Sequence, residues 1–239
     1  MPDKLLAEFL PVSTAEWVQA IRKDTGVSSG KQPFYRAEDL AGLPYLDSLP
    51  GEPPYLRGGK ASNDWTIVDD LPEPDSPSYI RAYLQREGGG TCVDELAFAL
   101  AAATGYLAGD AARASEVIFA VSIGANFFEE IAKLRALRFL WSKGIETLGG
   151  TPVPAIIRAR TLVYNRAPDA HFTVIQATTA AMAAAIGGVD SLYTPHARNV
   201  QLILKAEACF DQVTDAAGGS YYVEVLTNSF VQAVWKLLR

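Results

Sequence analysis

The sequence predicts an α/β protein in which helices cover a parallel sheet and an extended N-terminal arm precedes the sheet. Two observations predict this class. From residue 79 onward, helical apolar patterns alternate with short β-rich runs, which is typical of parallel strands joined by crossover helices. Residues 31–78 hold most of the 14 prolines and show no sustained apolar period. Such a segment is expected to wrap a domain or a partner subunit.

Composition excludes several classes of function. The chain has 239 residues, enough for one large domain or two small ones. Its 21 basic and 27 acidic residues give a formal charge of -6, which argues against a general nucleic-acid binder. Cys92 and Cys209 form neither a disulfide scaffold nor a CxxC site, so reduced thiols are expected. The N-terminus lacks the apolar stretch of a signal peptide, and no run has the length of a membrane span. We therefore expect a cytoplasmic protein without membrane or nucleic-acid partners.

The N-terminal third is predicted to contain one helix and the long arm. Ser13 and Glu16 have the spacing of a capping box, in which the hydroxyl accepts an amide hydrogen bond and the carboxylate reaches back. Apolar residues follow at helical spacing, and the glycines within residues 26–30 end the helix. The acidic run at residues 69–75 lies among prolines and has no second set of ligands. We interpret it as a solvated linker and not as a metal site.

The first predicted helix of the main body begins at Thr91. This threonine can cap a helix that runs to Leu107, and Asp94 and Glu95 lie in the favourable first turn. Residues 117–123 then form a short β-rich run. A helix followed by a strand is expected in a parallel sheet, because its strands are joined by crossover helices.

A second, longer helix is predicted after this strand. Asn126 can cap it, and Gly144 is expected to end it. Phenylalanine, isoleucine and leucine side chains recur along one face. Glu129 and Lys133 are spaced as an i,i+4 ion pair of the favourable orientation.

The remaining chain continues the alternation. Thr194 can cap a helix with Pro195 at its first position, and Gly187 can end the helix before it. Six elements are predicted here, alternately strand and helix: residues 155–163, 171–186, 189–193, 195–208, 221–226 and 227–239.

Arginines cluster at one predicted strand end. Arg158, Arg160 and Arg166 surround the end of the strand at residues 155–163. In a barrel, the C-terminal strand ends carry function, and arginines there can hold an anionic group. The alternative is solvated charge or an ion pair with the acidic arm. The motifs for phosphate loops, dinucleotide folds, serine hydrolases and zinc proteases do not occur. The residues alone thus define no active site.

Several segments together resemble a known family. In chain order they are PGEPPYLRG with a following Trp-Thr-Ile, GGTCVDELAFAL, SIGANFFEEIAKLRALRFLW, TTAAMAAAIGGVDSL and ARNVQLILKAEACFDQVTDAAGGSYYVEVLT. They resemble the acyl-CoA-binding barrel of methylmalonyl-CoA mutases. The N-terminal FLPVSTAEWVQAI and PFYRAEDLAGL resemble the small, non-catalytic subunit of the heterodimeric forms. The resemblance touches nearly the whole chain.

The resemblance implies a fold, a cofactor and a substrate class. It implies a (β/α)8 barrel threaded by the pantetheine arm of CoA, with adenosylcobalamin held over the barrel by a separate C-terminal domain. The implied reaction interconverts methylmalonyl-CoA and succinyl-CoA. Thr66 matches a CoA-contacting threonine, so Thr66, Arg158 and Arg160 become the predicted CoA contacts.

The sequence departs from the catalytic pattern where the chemistry takes place. Val68 and Asp70 stand where the resemblance places an arginine and a tyrosine, and Glu116 stands in place of another arginine. The substrate-side histidine is absent from residues 84–88, and residues 157–160 replace a Thr-His-Ser-Gln strand. These losses remove groups that hold a carboxylate and shield a radical. We therefore predict no catalytic residue in this chain.

The cobalamin-ligand motif is incomplete as well. Asp169 and His171 begin like Asp-x-His-x-x-Gly, which presents histidine to cobalt, but Val174 occupies the glycine position. The segment also opens an alanine-rich helix. We expect a helix-start or surface histidine and no metal site. Because the cobalamin domain is missing from the sequence, this chain alone is not expected to bind the cofactor.

Length gives an independent argument. A barrel needs about 250 residues for eight units, so the 164 residues from Ser76 to Arg239 correspond to about five. We predict a helix and arm over residues 1–75 and a shortened TIM-type (β/α) barrel over residues 76–239. A part-barrel exposes strand edges, which a partner or the arm would have to cover.

Three hypotheses of function remain open. The first is a small-subunit-like component that docks on a catalytic, cobalamin-bearing mutase subunit as a heterodimer. The second is an active acyl-CoA isomerase that uses cobalamin from a second chain. The third is a degenerate or truncated homologue without a biochemical role.

Overall fold

The computed structural model describes residues 48–60, 62–70, 73–162, 170–195 and 197–239, with a few isolated positions between 13 and 43. Met1–Tyr35 and Arg36–Arg239 form separate compact units. In the first unit, the Ser13 amide donates to Glu16 Oε2 at 2.8 Å and the Glu16 amide donates to Ser13 Oγ at 3.3 Å, which confirms the predicted capping box.

The described residues contain one parallel sheet of five short strands. These are β1 (Thr66–Val68), β2 (Tyr79–Arg81), β3 (Ile118–Ile123), β4 (Ile156–Thr161) and β5 (Ser191–Tyr193). The order across the sheet is β1-β5-β4-β3-β2, and every neighbouring pair is parallel. This is the cyclic order of a barrel that is open between β1 and β2. It confirms the predicted α/β class and the partial TIM-type barrel, although only four of the five strands lie within residues 76–239.

Six α-helices follow or connect the strands in the described part of the chain. They are α1 (Tyr83–Glu87), α2 (Cys92–Leu107), α3 (Phe127–Thr147), α4 (Ala170–Ile186), α5 (Arg198–Ala206) and α6 (Tyr221–Leu237). A 3-10 helix at Ala111–Glu116 precedes β3. No helix of the described residues is long and apolar enough to cross a membrane.

Helix α2 begins where its local sequence predicts. The Asp94 amide donates to Thr91 Oγ1 at 3.2 Å, and the Thr91 amide donates to Asp94 Oδ2 at 2.8 Å. Two amides of the first turn are thereby satisfied within four residues of sequence.

The hydrophobic core lies between the sheet and the helices. Alternate residues of β3, among them Phe119 and Val121, are buried with Leu137 and Trp141 of α3. The rings of Phe119 and Trp141 meet edge to face with centroids 5.1 Å apart. This geometry is favourable for an aromatic pair.

The alanine-rich helix α4 packs closely on α3. A Cβ atom at Gly187, which follows the helix, would come within 2.4 Å of Leu134 Cδ1. A glycine is therefore required at this position. Buried alanines in α4, such as Ala181 and Ala184, allow the same close approach along the helix.

The predicted strand at residues 221–226 is wrong. These residues form the start of α6, in which Val223, Thr227, Val231 and Val234 are buried at helical spacing. β-branched and aromatic residues favour strands only weakly, and packing against α3 overrides the preference. Thr227 lies within the helix and donates to the Val223 carbonyl at 2.7 Å.

Two further boundaries differ from the prediction. Helix α3 continues past Gly144 to Thr147, and the left-handed residue after it is Gly149, with φ of 79°. A helix tolerates an interior glycine at a cost of about 1 kcal/mol. Helix α5 begins at Arg198, so Pro195 is not its first helical residue.

The segment before residue 75 contributes to the sheet. The Asn63 side chain donates to the carbonyls of Ala185 and Phe210 at 2.8 and 2.9 Å, and β1 then pairs with β5. The predicted boundary between residues 75 and 76 stays a prediction.

Candidate functional site

The predicted contact residues lie on one face of the sheet. Along each strand, core residues alternate with residues whose side chains project from the opposite face of the sheet. In a closed barrel, this opposite face would line the interior. We call this the inner face. Its described members are Thr66, Val68, Tyr79, Arg81, Ile118, Ala120, Ser122, Ile156, Arg158, Arg160, Ser191 and Tyr193.

Strand register places five of these residues in one row. Arg81 is paired with Ala120, Ala120 with Arg158, Arg158 with Ser191, and Ser191 with Thr66. Thr66 and Arg158 are therefore two strands apart, roughly 10 Å. Arg160 lies one row further along, paired with Tyr193. The structure thus places the three predicted residues on a common surface, while Arg166 lies outside the described residues.

Buried hydrogen bonds hold Thr66 in place. The neighbouring Trp65 is buried, and its indole Nε1 donates to Gln201 Oε1 at 3.1 Å. Gln201 donates in turn to the Leu192 carbonyl at 3.1 Å and to Thr194 Oγ1 at 2.8 Å. The Trp-Thr-Ile segment is thereby fixed between β5 and α5. Thr66 itself is exposed.

The acidic arm neutralises two of the inner-face arginines. Glu73 Oε2 lies 3.4 Å from Arg81 Nε, and Glu73 Oε1 lies 3.8 Å from Arg160 Nη1. Glu87 Oε1 lies 3.6 Å from Arg160 Nη2. Tyr83 donates a short hydrogen bond to Glu73; burial and this bond raise the pKa of Tyr83 to about 12. Glu73 is 39% exposed, so the predicted solvated character holds, and the alternative of an ion pair between the arginines and the acidic arm is observed for Arg160.

A groove lies at the C-terminal ends of β1 and β5. It has a volume of about 410 Å³. Its lining residues are Val68, Asp69, Tyr193, Thr194, Arg198 and Asn199. Asp69 and Arg198 form an exposed ion pair across it at 2.5 Å. Strand ends of this kind are where barrels place their ligands.

A buried ionic cluster lies beside the end of β3. Lys133 Nζ is 2.8 Å from Glu95 Oε2 and 2.5 Å from Glu130 Oε2, and all three side chains are at most 1% exposed. Glu95 also accepts the amide of Ser122 at 2.8 Å, and Arg86 lies 3.3 Å from Glu130. Burial lowers the pKa of Lys133, but the two carboxylates outweigh burial and hold the pKa above its usual range. The predicted Glu129–Lys133 pair is wrong, because Lys133 points into the core and Asn126 donates to Glu129 instead.

Cys92 lies next to this cluster, and the pH dependence of stability tests whether its thiol is buried. Burial raises the pKa of Cys92 to about 12, partly opposed by Lys133. Because the pKa of this thiol is higher in the folded state, the unfolded state loses the proton first, above about pH 8.5. The contribution to stability is therefore fully present only below that pH. We expect this contribution to fall by about 1.4 kcal/mol per pH unit as the pH rises from 8.5 towards 12.

Urea unfolding at pH 8 and pH 10 measures this loss. Cys92→Ala should show a smaller loss between the two pH values than the unaltered chain, whereas Cys209→Ala, at the exposed cysteine, should not differ from it. The assignment fails if Cys92→Ala retains the full dependence on pH.

A second buried ionic cluster joins α3 to α6. Arg135 is fully buried and contacts Asp215 in a short ion pair, and its Nη2 lies 2.7 Å from Glu224 Oε2. Arg57 lies 2.9 Å from Asp215 on the solvent side. Charged side chains between packed helices persist only when they are paired in this way.

Arg138 is buried among carbonyl groups. It donates to the carbonyls of Gly187 and Gly188 at 2.7 and 3.1 Å and, through two nitrogens, to the Leu56 carbonyl. Burial, followed by the nearby Arg135, lowers the pKa of Arg138 to about 9. This arginine satisfies the carbonyls of the two glycines that follow α4 and fixes the segment before β1.

Comparison with known proteins agrees with this architecture. The family model described as Methylmalonyl-CoA mutase matches residues 72–239. The chain belongs to the methylmalonyl-CoA mutase family.

Relatives in this family include both subunit types. A methylmalonyl-CoA mutase small subunit of Porphyromonas gingivalis is 40% identical over 144 residues, which are 52% of this chain and 23% of that protein. The large subunit of the same organism is 36% identical over 186 residues, 67% of this chain and 26% of that protein. A methylmalonyl-CoA mutase of Rhizobium meliloti is 33% identical over 195 residues, which are 71% of this chain and 27% of that protein. The chain thus spans about a quarter of the length of these mutases.

The described residues do not fit a cobalt-ligating histidine. His171 lies in the first turn of α4 and is exposed. Val174, at the position of the motif's glycine, is a further helical residue and is 56% exposed. The described residues also contain no cluster of three or more His, Cys, Asp or Glu side chains that could hold a metal ion.

Two residues at which the resemblance implies the loss of a catalytic group have contacts in the structure. Glu116 ends the 3-10 helix and contacts Arg113 and Tyr106 on the surface. Val68 ends β1 and lines the groove described above.

Proposed function

We propose that this chain is a small-subunit-like component of an adenosylcobalamin-dependent methylmalonyl-CoA mutase and assists a catalytic subunit. One observation carries the proposal: over 144 residues the chain is 40% identical to the small subunit of Porphyromonas gingivalis, and over 186 residues it is 36% identical to the large subunit. The departures at Val68, Asp70 and Glu116 support an assisting role. Adenosylcobalamin would be held by the partner.

The open sheet supports a partner chain. Strands β1 and β2 are the two edges of the described sheet, and each has only three residues. Proteins normally pair or cover such edges. A catalytic mutase subunit at the open side would cover both edges and enclose the inner face.

We also propose that the inner face retains a CoA-contacting role. Thr66 and Arg158 share a row, and Arg160 lies beside them with its charge partly neutralised by Glu73 and Glu87. Guanidinium and hydroxyl donors suit the phosphate, carbonyl and amide oxygens of an acyl-CoA.

The assisting role is tested by turnover of methylmalonyl-CoA to succinyl-CoA. The catalytic subunit of the same organism is assayed with adenosylcobalamin, with and without this chain. We expect this chain alone to give no turnover and its addition to raise the rate or the thermal stability of the catalytic subunit. Turnover by this chain alone with adenosylcobalamin would instead support an active isomerase. No effect on either property would overturn the proposal.

A further inference from the structure

The connection between β1 and β2 is unlike the later connections of the sheet. Each later connection, from β2 to β3, β3 to β4 and β4 to β5, contains at least one helix, as is usual for parallel strands. Ten residues, 69–78, join β1 to β2, and the described ones form neither helix nor strand. Because β1 and β2 are the two edges of the sheet, this short segment passes from one edge to the other.

One carboxylate shows on which side of the sheet the segment lies. Glu73 is 3.4 Å from Arg81 of β2 and 3.8 Å from Arg160 of β4. These two strands are not neighbours, since β3 lies between them. Both arginines belong to the inner face and lie near the C-terminal ends of their strands. The segment therefore crosses the inner face at that end of the sheet.

Further polar contacts fix the segment in this position. The Pro74 carbonyl accepts a hydrogen bond from Arg81 Nη2 at 3.0 Å, and Tyr83 donates a short hydrogen bond to Glu73. Arg160 Cζ lies 4.8 Å from the centre of the Tyr83 ring. Glu73 thus joins side chains from β2, β4 and the first residue of α1.

Little burial strengthens these contacts. Pro74, Asp75 and Pro77 are exposed, and the side chain of Glu73 is 39% exposed. The side chains of its two arginine partners are 33% and 29% exposed. Ion pairs with this exposure are weak and are screened by salt. A segment with few buried apolar contacts opens locally far more easily than the core does.

We propose that residues 73–78 form a reversible strap across the C-terminal end of the inner face, with Glu73 as its latch. In the latched state, the Glu73 carboxylate covers the guanidinium groups of Arg81 and Arg160. Release of Glu73 lifts the strap and exposes both groups to solvent. The strap is a device within this chain and goes beyond the proposed assisting role.

A nitroxide spin label on the strap tests the latch. The label is attached to Asp75→Cys in a Cys209→Ser chain, in which the remaining Cys92 is buried. We expect electron paramagnetic resonance to show a mostly immobile label in this parent chain. Adding Glu73→Gln should raise the ratio of mobile to immobile label about fivefold, as for loss of a partly exposed set of ion pairs.

Glu87 provides the matched control. Its Oε1 lies 3.6 Å from Arg160 Nη2, but it belongs to α1 and not to the strap. Glu87→Gln therefore removes a charge beside the same arginine and should leave the label immobile. High sodium chloride should mobilise the label in the parent chain and have no further effect with Glu73→Gln. Equal label mobility with Glu73→Gln and Glu87→Gln would overturn the latch.

Arginine modification by phenylglyoxal, mapped by mass spectrometry, measures what the strap covers. In the full chain, Glu73→Gln should accelerate modification of Arg81 and Arg160, whereas Arg113, in its surface pair with Glu116, should keep its rate. Circular dichroism checks that the variants are folded. A mobile strap without faster modification of Arg81 and Arg160 would overturn its role as a cover. Both measurements use this chain alone, so their outcome is independent of the turnover assay.

Discussion

Replacing Lys133 with methionine is expected to lower the free energy of unfolding by about 3–5 kcal/mol. The substitution keeps a similar length of apolar side chain but removes the charge between Glu95 and Glu130, which lie 2.8 and 2.5 Å from Lys133 Nζ. Two buried carboxylates would then face each other, with Arg86 as the remaining described cation near Glu130. Urea unfolding followed by circular dichroism measures the loss.

The same helix offers a matched control for this substitution. Lys143 forms an exposed pair with Glu146 at 2.7 Å, and exposed pairs contribute about 0–1 kcal/mol. Lys143→Met should therefore change stability by less than about 1 kcal/mol. Adding Glu95→Gln to Lys133→Met should recover part of the loss, because it removes one unpaired charge. Equal effects of the two lysine substitutions would contradict the buried cluster.

Replacing Arg135 with methionine is expected to cost a similar amount, about 3–5 kcal/mol. Arg135 and Glu224 are fully buried, and Asp215 is 4% exposed. After the substitution, Arg57 would remain as the described cation near both carboxylates, 2.9 Å from Asp215 and 3.9 Å from Glu224. Because Glu224 belongs to α6, hydrogen exchange should accelerate most in that helix.

An exposed arginine again gives the control. Arg113 pairs with Glu116 at 3.7 Å on the surface, so Arg113→Met should be nearly neutral. Adding Glu224→Gln to Arg135→Met should restore part of the stability and slow exchange in α6. An Arg135→Met protein as stable as Arg113→Met would show that this cluster does not hold α6 to α3.

Local signals made several elements predictable from the sequence. The start of α2 depends on Thr91 and Asp94, three residues apart, and the end of α4 depends on the glycines that follow it. Such capping and terminating residues lie within about one helical turn of the helix end that they determine. Strands β3, β4 and β5 were predictable for the same reason, since each is a short β-rich run. Strands β1 and β2 were not predicted: each has only three residues, and β1 lies in the proline-rich segment for which the sequence predicts an arm.

Long-range packing explains the failures. Residues 221–226 have the composition of a strand, and what makes them helical is burial against α3, including the ion pair between Glu224 and Arg135. The predicted ion pair between Glu129 and Lys133 follows from the i,i+4 spacing, which applies to side chains on an exposed helix surface. The signal against this was that apolar residues surround Lys133 on almost every side of α3, as in a fully buried helix.

The candidate site was partly predictable. Residue type and the family resemblance identified Thr66, Arg158 and Arg160. Their common row depends on strand register, which the sequence does not specify between strands so distant in the chain.

We propose that a catalytic mutase subunit covers the open side of this sheet. Sedimentation velocity of an equimolar mixture with that subunit measures the association directly. We predict a single faster-sedimenting complex, weakened by Thr66→Arg on the exposed edge strand and unaffected by Thr147→Arg at the exposed end of α3. Two separately sedimenting species at micromolar concentration, with this chain folded, would contradict the account.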